Sequence, residues 1–204
     1  MGGAVSTANS LTDEELGSAA QRGRRKRILD ATIALASQGG FDAVQMRTVA
    51  EQADVALGTL YRYFPSKIHL LVSALGREFE RAEAATRDKP IPGDTAHERV
   101  MFLLNRTTKG LQSDPHLTEA LTRAFMFADA SVANEIHAVG MLLNTMLTRA
   151  MNPGSEATSD EDVAVARVIA DVWLSTLVGW VTGRTNAGDV SKRMDVAVGL
   201  LLRD

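Results

Sequence analysis

Apolar residues recur at spacings of three and four along almost the whole chain, and no stretch alternates apolar and polar positions between turn signals. The pattern predicts an all-α protein. Ile28, Leu29, Thr32, Leu35 and Ala36 form one stripe on a helix starting near Arg22, and Gly39-Gly40 supplies residues that stop it. A second short helix fits Arg47 to Ala53 and a third fits Leu57 to Tyr63. Pro65 ends the third, because proline disfavours helical backbone in the residue before it.

A longer fourth helix is predicted from near Ser66 to about Arg87, followed by the linker Lys89-Pro90-Ile91-Pro92-Gly93. Thr95 and Glu98 make a capping box for a fifth helix reaching about Leu111, and Asp114-Pro115 is a cap with proline at the first helical position. The sixth helix contains Leu117 to Phe127. A seventh covers about Ser131 to Met151 and stops at Asn152-Pro153-Gly154. Two regular helices follow, Asp160 to about Thr182 and Asp189 to Leu202. Residues 1–19 read as a flexible tail, within which Thr12-Asp13-Glu14-Glu15 could cap a short helix.

With 204 residues, 45% hydrophobic and 23% charged, the chain can bury a sizeable core. It has no cysteine, which excludes disulfides, thiolate metal sites and thiol nucleophiles. No signal-peptide pattern precedes the first helix, and no apolar run is read as approaching the roughly 20 residues of a membrane span, so a soluble cytoplasmic protein without membrane partners is expected. The formal net charge of -3 conceals a division: residues 20–72 sum to +4 and everything from residue 73 to -4. A positive segment in an acidic chain is either a solvated face or a footprint for phosphate.

Residues 44–67 favour the second reading. Two helices joined by so short a turn cross steeply and need small residues at the crossing, which Ala50 and Ala53 provide, while Val55 and Leu60 are spaced to plug the corner. Gly58, Thr59, Tyr61, Arg62 and Tyr63 are then left on the open side of the second of these helices. Such a surface suits the major groove, where glycine permits close approach and hydroxyls reach phosphates or base edges.

The string Leu57-Gly58-Thr59-Leu60-Tyr61-Arg62-Tyr63-Phe64-Pro65-Ser66-Lys67 resembles the signature of TetR-family repressors, and Gly39-Gly40-Phe41 and Arg47-Thr48-Val49-Ala50 are similar to its other marks. The resemblance implies a helix-turn-helix DNA-binding domain over 20–66 and a helical ligand-binding and dimerisation domain over 67–204. It makes Arg47 a base or phosphate contact and Thr59 and Tyr61 recognition-helix contacts. Tyr63 and Lys67 would hold phosphates, Gly58 would allow close approach, and Leu57 and Arg62 would read bases. Two positions depart from the pattern: Asp54 stands where the family has a turn glycine, and Ala56 where a serine commonly caps the recognition helix. Both put the turn geometry in question.

Beyond residue 93 the apolar positions include Phe102, Phe127, Leu142 and Met146, which suit an adaptable pocket but at helical spacing are more often core. The family resemblance points to an apolar ligand, with Met101, Leu104, Phe125, Met126, Met141 and Trp173 as candidate pocket residues. It also implies a homodimer through the last two helices, hence two recognition helices and a near-palindromic operator on double-stranded DNA. Within the family, the stretches 24–47, 54–79 and 118–129 resemble actinobacterial repressors of cholesterol catabolism. That implies a steroid acyl-CoA inducer, with Arg106, Arg123, Arg184 or Arg193 meeting its phosphates; regulation of fatty-acid metabolism or drug efflux by a different apolar ligand is the alternative.

An enzyme would need convergent reactive groups, and His69, His97, His116 and His137 are widely spaced with no metal-binding pattern. No catalytic function, metal or cofactor is expected. A ligand carrier built from the last six helices would not need the segment at 44–67.

Overall fold

The computed structural model describes residues 13–155 and 158–203, with side chains from residue 19 onward. Among these the elements are α1 (Asp13–Ala43), α2 (Met46–Gln52), α3 (Leu57–Tyr63), α4 (Lys67–Ala84), α5 (Ala96–Gln112), α6 (Pro115–Met126), a 3-10 turn (Ala130–Val132), α7 (Ala133–Met151), α8 (Asp160–Val181) and α9 (Ala187–Leu201). The fold is all-helical as the periodicity predicts. Helix α1 is already formed at Asp13, inside the stretch expected to be a tail; Thr12 of the proposed capping box lies outside the described residues. The double glycine breaks it as expected, Gly39 at φ -157° and Gly40 at φ 68°.

The first three helices share a core in which Ile28, Val49, Ala50, Ala53 and Leu60 are buried, with Val55 packed against them. Ala50 and Ala53 sit at the crossing as their size requires, and the Val55 amide donates to the Ala50 carbonyl at 3.0 Å to close the turn. Asp54 takes the left-handed backbone that its place in the turn demands, at φ 53°. Aspartate tolerates this conformation better than most residues, although less readily than glycine. Ala56 leaves α3 without a side-chain cap.

Helix α4 leaves this unit and packs on α6 and α7; α5 lies against α7 and α9, and α8 between α7 and α9. Caps define the boundaries. Asp114 accepts from the Leu117 amide with Pro115 at the helix start, and Thr95 with Glu98 closes the predicted box. Boxes at Ser159-Asp162 and Asn186-Asp189 start α8 and α9, the latter earlier than the apolar pattern alone indicates. Contrary to the sequence expectation, α8 is by length and composition apolar enough to cross a membrane. Ala166, Ile169, Trp173 and Leu177 spend one side of it in the core, while Val168 stays exposed, as do Val196 and Leu200 on α9.

The far end of α4 is tied down by charge. Buried Glu83 accepts from Arg87 on the next turn, and Arg149 of α7 lies 3.5 Å from Glu83 Oε1 and donates to Thr86 Oγ1 at 3.2 Å. The Arg87 hydrogen bonds first, then the charges of Arg87 and Arg149, hold the Glu83 carboxyl below its ordinary range against the opposing effect of burial. A depressed carboxylate stabilises the fold above its unfolded pKa, near 4.5, and loses that contribution as pH falls through the folded value. Glu83→Gln is therefore expected to lower stability at pH 7 and to flatten the acid limb of the stability profile below about pH 4.5, read by denaturant titration across pH.

Candidate functional site

The open side of α3 is built as the sequence predicts for Gly58, Tyr61 and Arg62, but not fully for Thr59 and Tyr63. Leu60 and Phe64 are buried against the unit, which turns Leu57, Gly58, Tyr61 and Arg62 outward, with Tyr61 45% exposed. Thr59 and Tyr63 are half-buried, and Arg47 is exposed on the neighbouring α2. A Cβ added at Gly58 would meet nothing within 4 Å, so this glycine is not required by packing inside the protein.

Lys67, expected to hold a phosphate, is half-buried at the start of α4. Its Nζ lies 3.9 Å from the centroid of the Phe41 ring, and Arg123 of α6 stands over the same ring at 4.5 Å. Loss of water lowers the Lys67 pKa, with Arg123 adding to the effect and Asp42 and Glu119 opposing it. Beside them, Glu119 accepts from the Phe41 amide at 2.8 Å, and Arg123 pairs with Asp42 at 3.4 Å and Glu119 at 3.5 Å. A Cβ at Gly40 would come within 2.6 Å of Glu119 Oε2. One face of α6 thus grips the turn that closes α1, next to the first residue of α4. His69 reinforces the joint by hydrogen bonding Ser66 Oγ at 2.9 Å and the Ser131 carbonyl at 3.0 Å.

The opposite face of α6 lines a cavity. Thr118, Leu121, Thr122 and Phe125 form one wall of a cavity of about 340 Å³, closed by Leu75 and Phe79 of α4, Met141 and Asn144 of α7, and Arg167 and Trp173 of α8. A second, of about 380 Å³, shares Leu75, Phe79, Leu111, Thr118 and Leu121 with it and reaches Arg81 and Arg106 between α4, α5 and α6. Both volumes fall in the range of small-molecule sites. Trp173 presents an apolar surface there, because its indole N–H donates to Thr108 Oγ1 at 2.9 Å and its ring meets Phe79 edge-on at 6.2 Å. The Asn144 carboxamide oxygen is buried with no hydrogen-bond partner among the described residues.

Of the six pocket candidates, Phe125, Met141 and Trp173 border the first cavity. Met101 and Leu104 instead belong to the core between helices and border neither cavity, and Met126, 51% exposed, also lies outside both. Sequence reasoning misses Leu75, Phe79, Leu121 and Asn144. Leu75 and Phe79 are spaced four apart on α4, a signal indistinguishable from that of ordinary core. Of the four arginines, Arg106 alone borders a cavity; Arg123 is engaged at Phe41, and Arg184 donates to Thr182 Oγ1 at 3.0 Å.

Residues 28–74 match the model for bacterial regulatory proteins of the tetR family, and residues 93–201 match the tetracyclin repressor-like C-terminal domain. The chain belongs to the TetR family. It is 60% identical, over 94% of its length and 93% of the relative's, to the HTH-type transcriptional repressor KstR of Mycolicibacterium smegmatis. A TetR transcriptional regulator from Rhodococcus sp. RHA1 superposes with a TM-score of 0.83 at 30% identity, covering 91% of this chain and 98% of that one. The fold is also that of Thermus thermophilus FadR, solved in complex with lauroyl-CoA, with a TM-score of 0.69 at 21% identity over 87% and 93% of the two chains. This TetR-family protein is thus a helix-turn-helix transcriptional repressor, and its relatives are named as regulators rather than enzymes.

Gly40→Ala should expose the importance of the α1–α6 joint, since alanine at φ 68° is strained and its methyl displaces Glu119. A loss of about 1–2 kcal/mol is expected in denaturant unfolding, against an unchanged or slightly raised stability for Gly58→Ala.

Proposed function

We propose that this TetR-family repressor binds a near-palindromic operator as a homodimer, controls genes of sterol breakdown, and releases DNA when a steroid acyl-CoA thioester fills the cavity beside α6. One observation carries the reading: α6 presents Thr118, Leu121, Thr122 and Phe125 to the cavity while Glu119 and Arg123 of the same helix hold the turn at Gly40-Phe41. An occupant that moves α6 must also move the recognition unit.

On the DNA side, Thr59, Tyr61, Arg62 and Leu57 would meet base edges and sugar, with Gly58 permitting the approach. Arg47, Tyr63 and Lys67 would hold phosphates, Lys67 by leaving the Phe41 ring. The exposed apolar residues Val168 on α8 and Val196 and Leu200 on α9 support self-association through these helices. A dimer of this kind presents two recognition helices to half-sites about one helical turn, or a multiple of it, apart.

On the ligand side, the apolar walls suit fused rings, and Arg106, with Arg81 on the same cavity and Arg167 on the first, is placed to meet an anionic end. Asn144 offers an unspent hydrogen bond to an oxygen on the apolar part. The likeness of long stretches of sequence to cholesterol-catabolism repressors supports a steroid; the lauroyl-CoA bound by the Thermus thermophilus neighbour makes a fatty-acyl thioester the competing reading. In both cases helix α4, joined to the cavity at Leu75 and Phe79 and to the recognition unit at Lys67, acts with α6 as the lever.

Release requires a ligand with different affinities for the two states, and a 100-fold loss of operator affinity corresponds to about 2.8 kcal/mol of coupling. Titration of labelled promoter DNA is expected to show such a loss with a steroid acyl-CoA and none with lauroyl-CoA, and Arg106→Ala should weaken the ligand response while leaving ligand-free operator binding intact. Release by lauroyl-CoA alone would transfer the assignment to fatty-acid control.

A further inference from the structure

Five basic residues crowd α1 at Arg22, Arg24, Arg25, Lys26 and Arg27, and from sequence they could be a solvated face or an arm on DNA. The structure separates them. Lys26 pairs with Asp30 one turn on at 2.8 Å, and Arg27 Nε donates to the Ala53 carbonyl at 3.1 Å, closing the end of α2. Arg24 and Arg25 turn instead toward the end of the recognition helix. Arg24 Nε donates to the Tyr63 hydroxyl at 3.4 Å, and the Arg25 guanidinium stands 5.7 Å from the centroid of the Phe64 ring.

The helix dipole does not account for this placement. Because α1 starts at Asp13, Arg24 and Arg25 lie well inside it, beyond the first turn where the dipole acts. Nor does intramolecular charge pairing, since neither guanidinium makes an ion pair with the carboxylates that Lys26 and Arg77 use, at Asp30 and Glu78. Two guanidiniums in the net-positive part of the chain are instead held at the end of α3, Arg24 on the tyrosine proposed to hold a backbone phosphate and Arg25 over the neighbouring Phe64 ring. A phosphate at that edge would meet both guanidiniums and the Tyr63 hydroxyl.

We propose that Arg24 and Arg25 extend the DNA-binding surface beyond the helix-turn-helix: both meet the phosphate backbone flanking the groove that α3 enters, and Arg24 also orients the Tyr63 hydroxyl toward that strand. The extension rests on the operator-binding reading of α3. Lys26 and Arg27 are structural and take no part. A guanidinium donating to the phenol oxygen leaves the phenol O–H free to donate to a phosphate oxygen, so the two side chains grip one strand from adjacent directions.

The test uses a duplex that the wild-type chain selects from a random-sequence pool, with binding measured at several salt concentrations. Removing one cation from a phosphate reduces the slope of log affinity against log salt by about 0.9, so R24Q/R25Q, which removes two cations from each protomer of the proposed dimer, is expected to flatten it by about 3.6. K26Q should leave the slope unchanged, and R24K/R25K, which keeps both charges, should restore it. In a cycle with Tyr63→Phe, the effects of Arg24→Gln and Tyr63→Phe on affinity should be non-additive. An unchanged slope in R24Q/R25Q with wild-type helix content by circular dichroism overturns the proposal, and so does an equal flattening by K26Q. Failure of the wild-type chain to select any duplex would overturn the operator reading and this extension together.

Discussion

The structure turns on α6 having two occupied faces. One face closes a cavity through Thr118, Leu121, Thr122 and Phe125, and the other holds the Gly40-Phe41 turn through Glu119 and Arg123. Gly40 makes the close approach possible, since it has the left-handed backbone the turn needs and no side chain to strike Glu119. Phe41 then lies between two cations from different parts of the fold, Lys67 at the start of α4 and Arg123 on α6. The desolvation of Lys67 is tolerated because the ring face and the carboxylates of Asp42 and Glu119 favour its charge. Recognition unit, lever helix and cavity wall therefore meet at one aromatic ring.

This arrangement suits a switch better than a rigid scaffold would. The core of the first three helices presents α3 as one body, with Leu60 and Phe64 locked inside and Tyr61 and Arg62 outside. Helix α4 is fixed at its far end by Glu83, Arg87 and Arg149, but near its start by a cation over a ring and by His69 hydrogen bonds. On the proposed reading, a ligand that displaces α4 or α6 reorients α3 without unfolding it. A few kcal/mol of differential interaction in the cavity suffices for the response proposed.

The helices and the helix-turn-helix were legible in the sequence because local rules determine them. Asp114-Pro115, Thr95 with Glu98, and Gly39-Gly40 act within a few residues of themselves. The exposure of Tyr61 and Arg62 follows from the burial of Leu60. The cavity was half legible for the opposite reason: Met101 and Phe125 carry the same periodic signal, and only the packing of distant helices makes one core and the other wall. The joint at Phe41 was invisible, since Glu119 is 78 residues away in sequence and no motif links them. Asp54 shows a departure from pattern absorbed in place, by adopting at φ 53° the backbone a glycine would have taken.

The chain has no cysteine, so a single Gln52→Cys on exposed α2 gives one spin label per protomer with no background. Pulsed electron resonance on the proposed dimer then reports the separation of the two recognition units directly. The expected result is one distance distribution with operator bound, and a shifted one when saturating steroid acyl-CoA is added and DNA is released. Identical distributions in the two states, with release of DNA verified in the same sample, would contradict the coupling of cavity to recognition helix through α4 and α6.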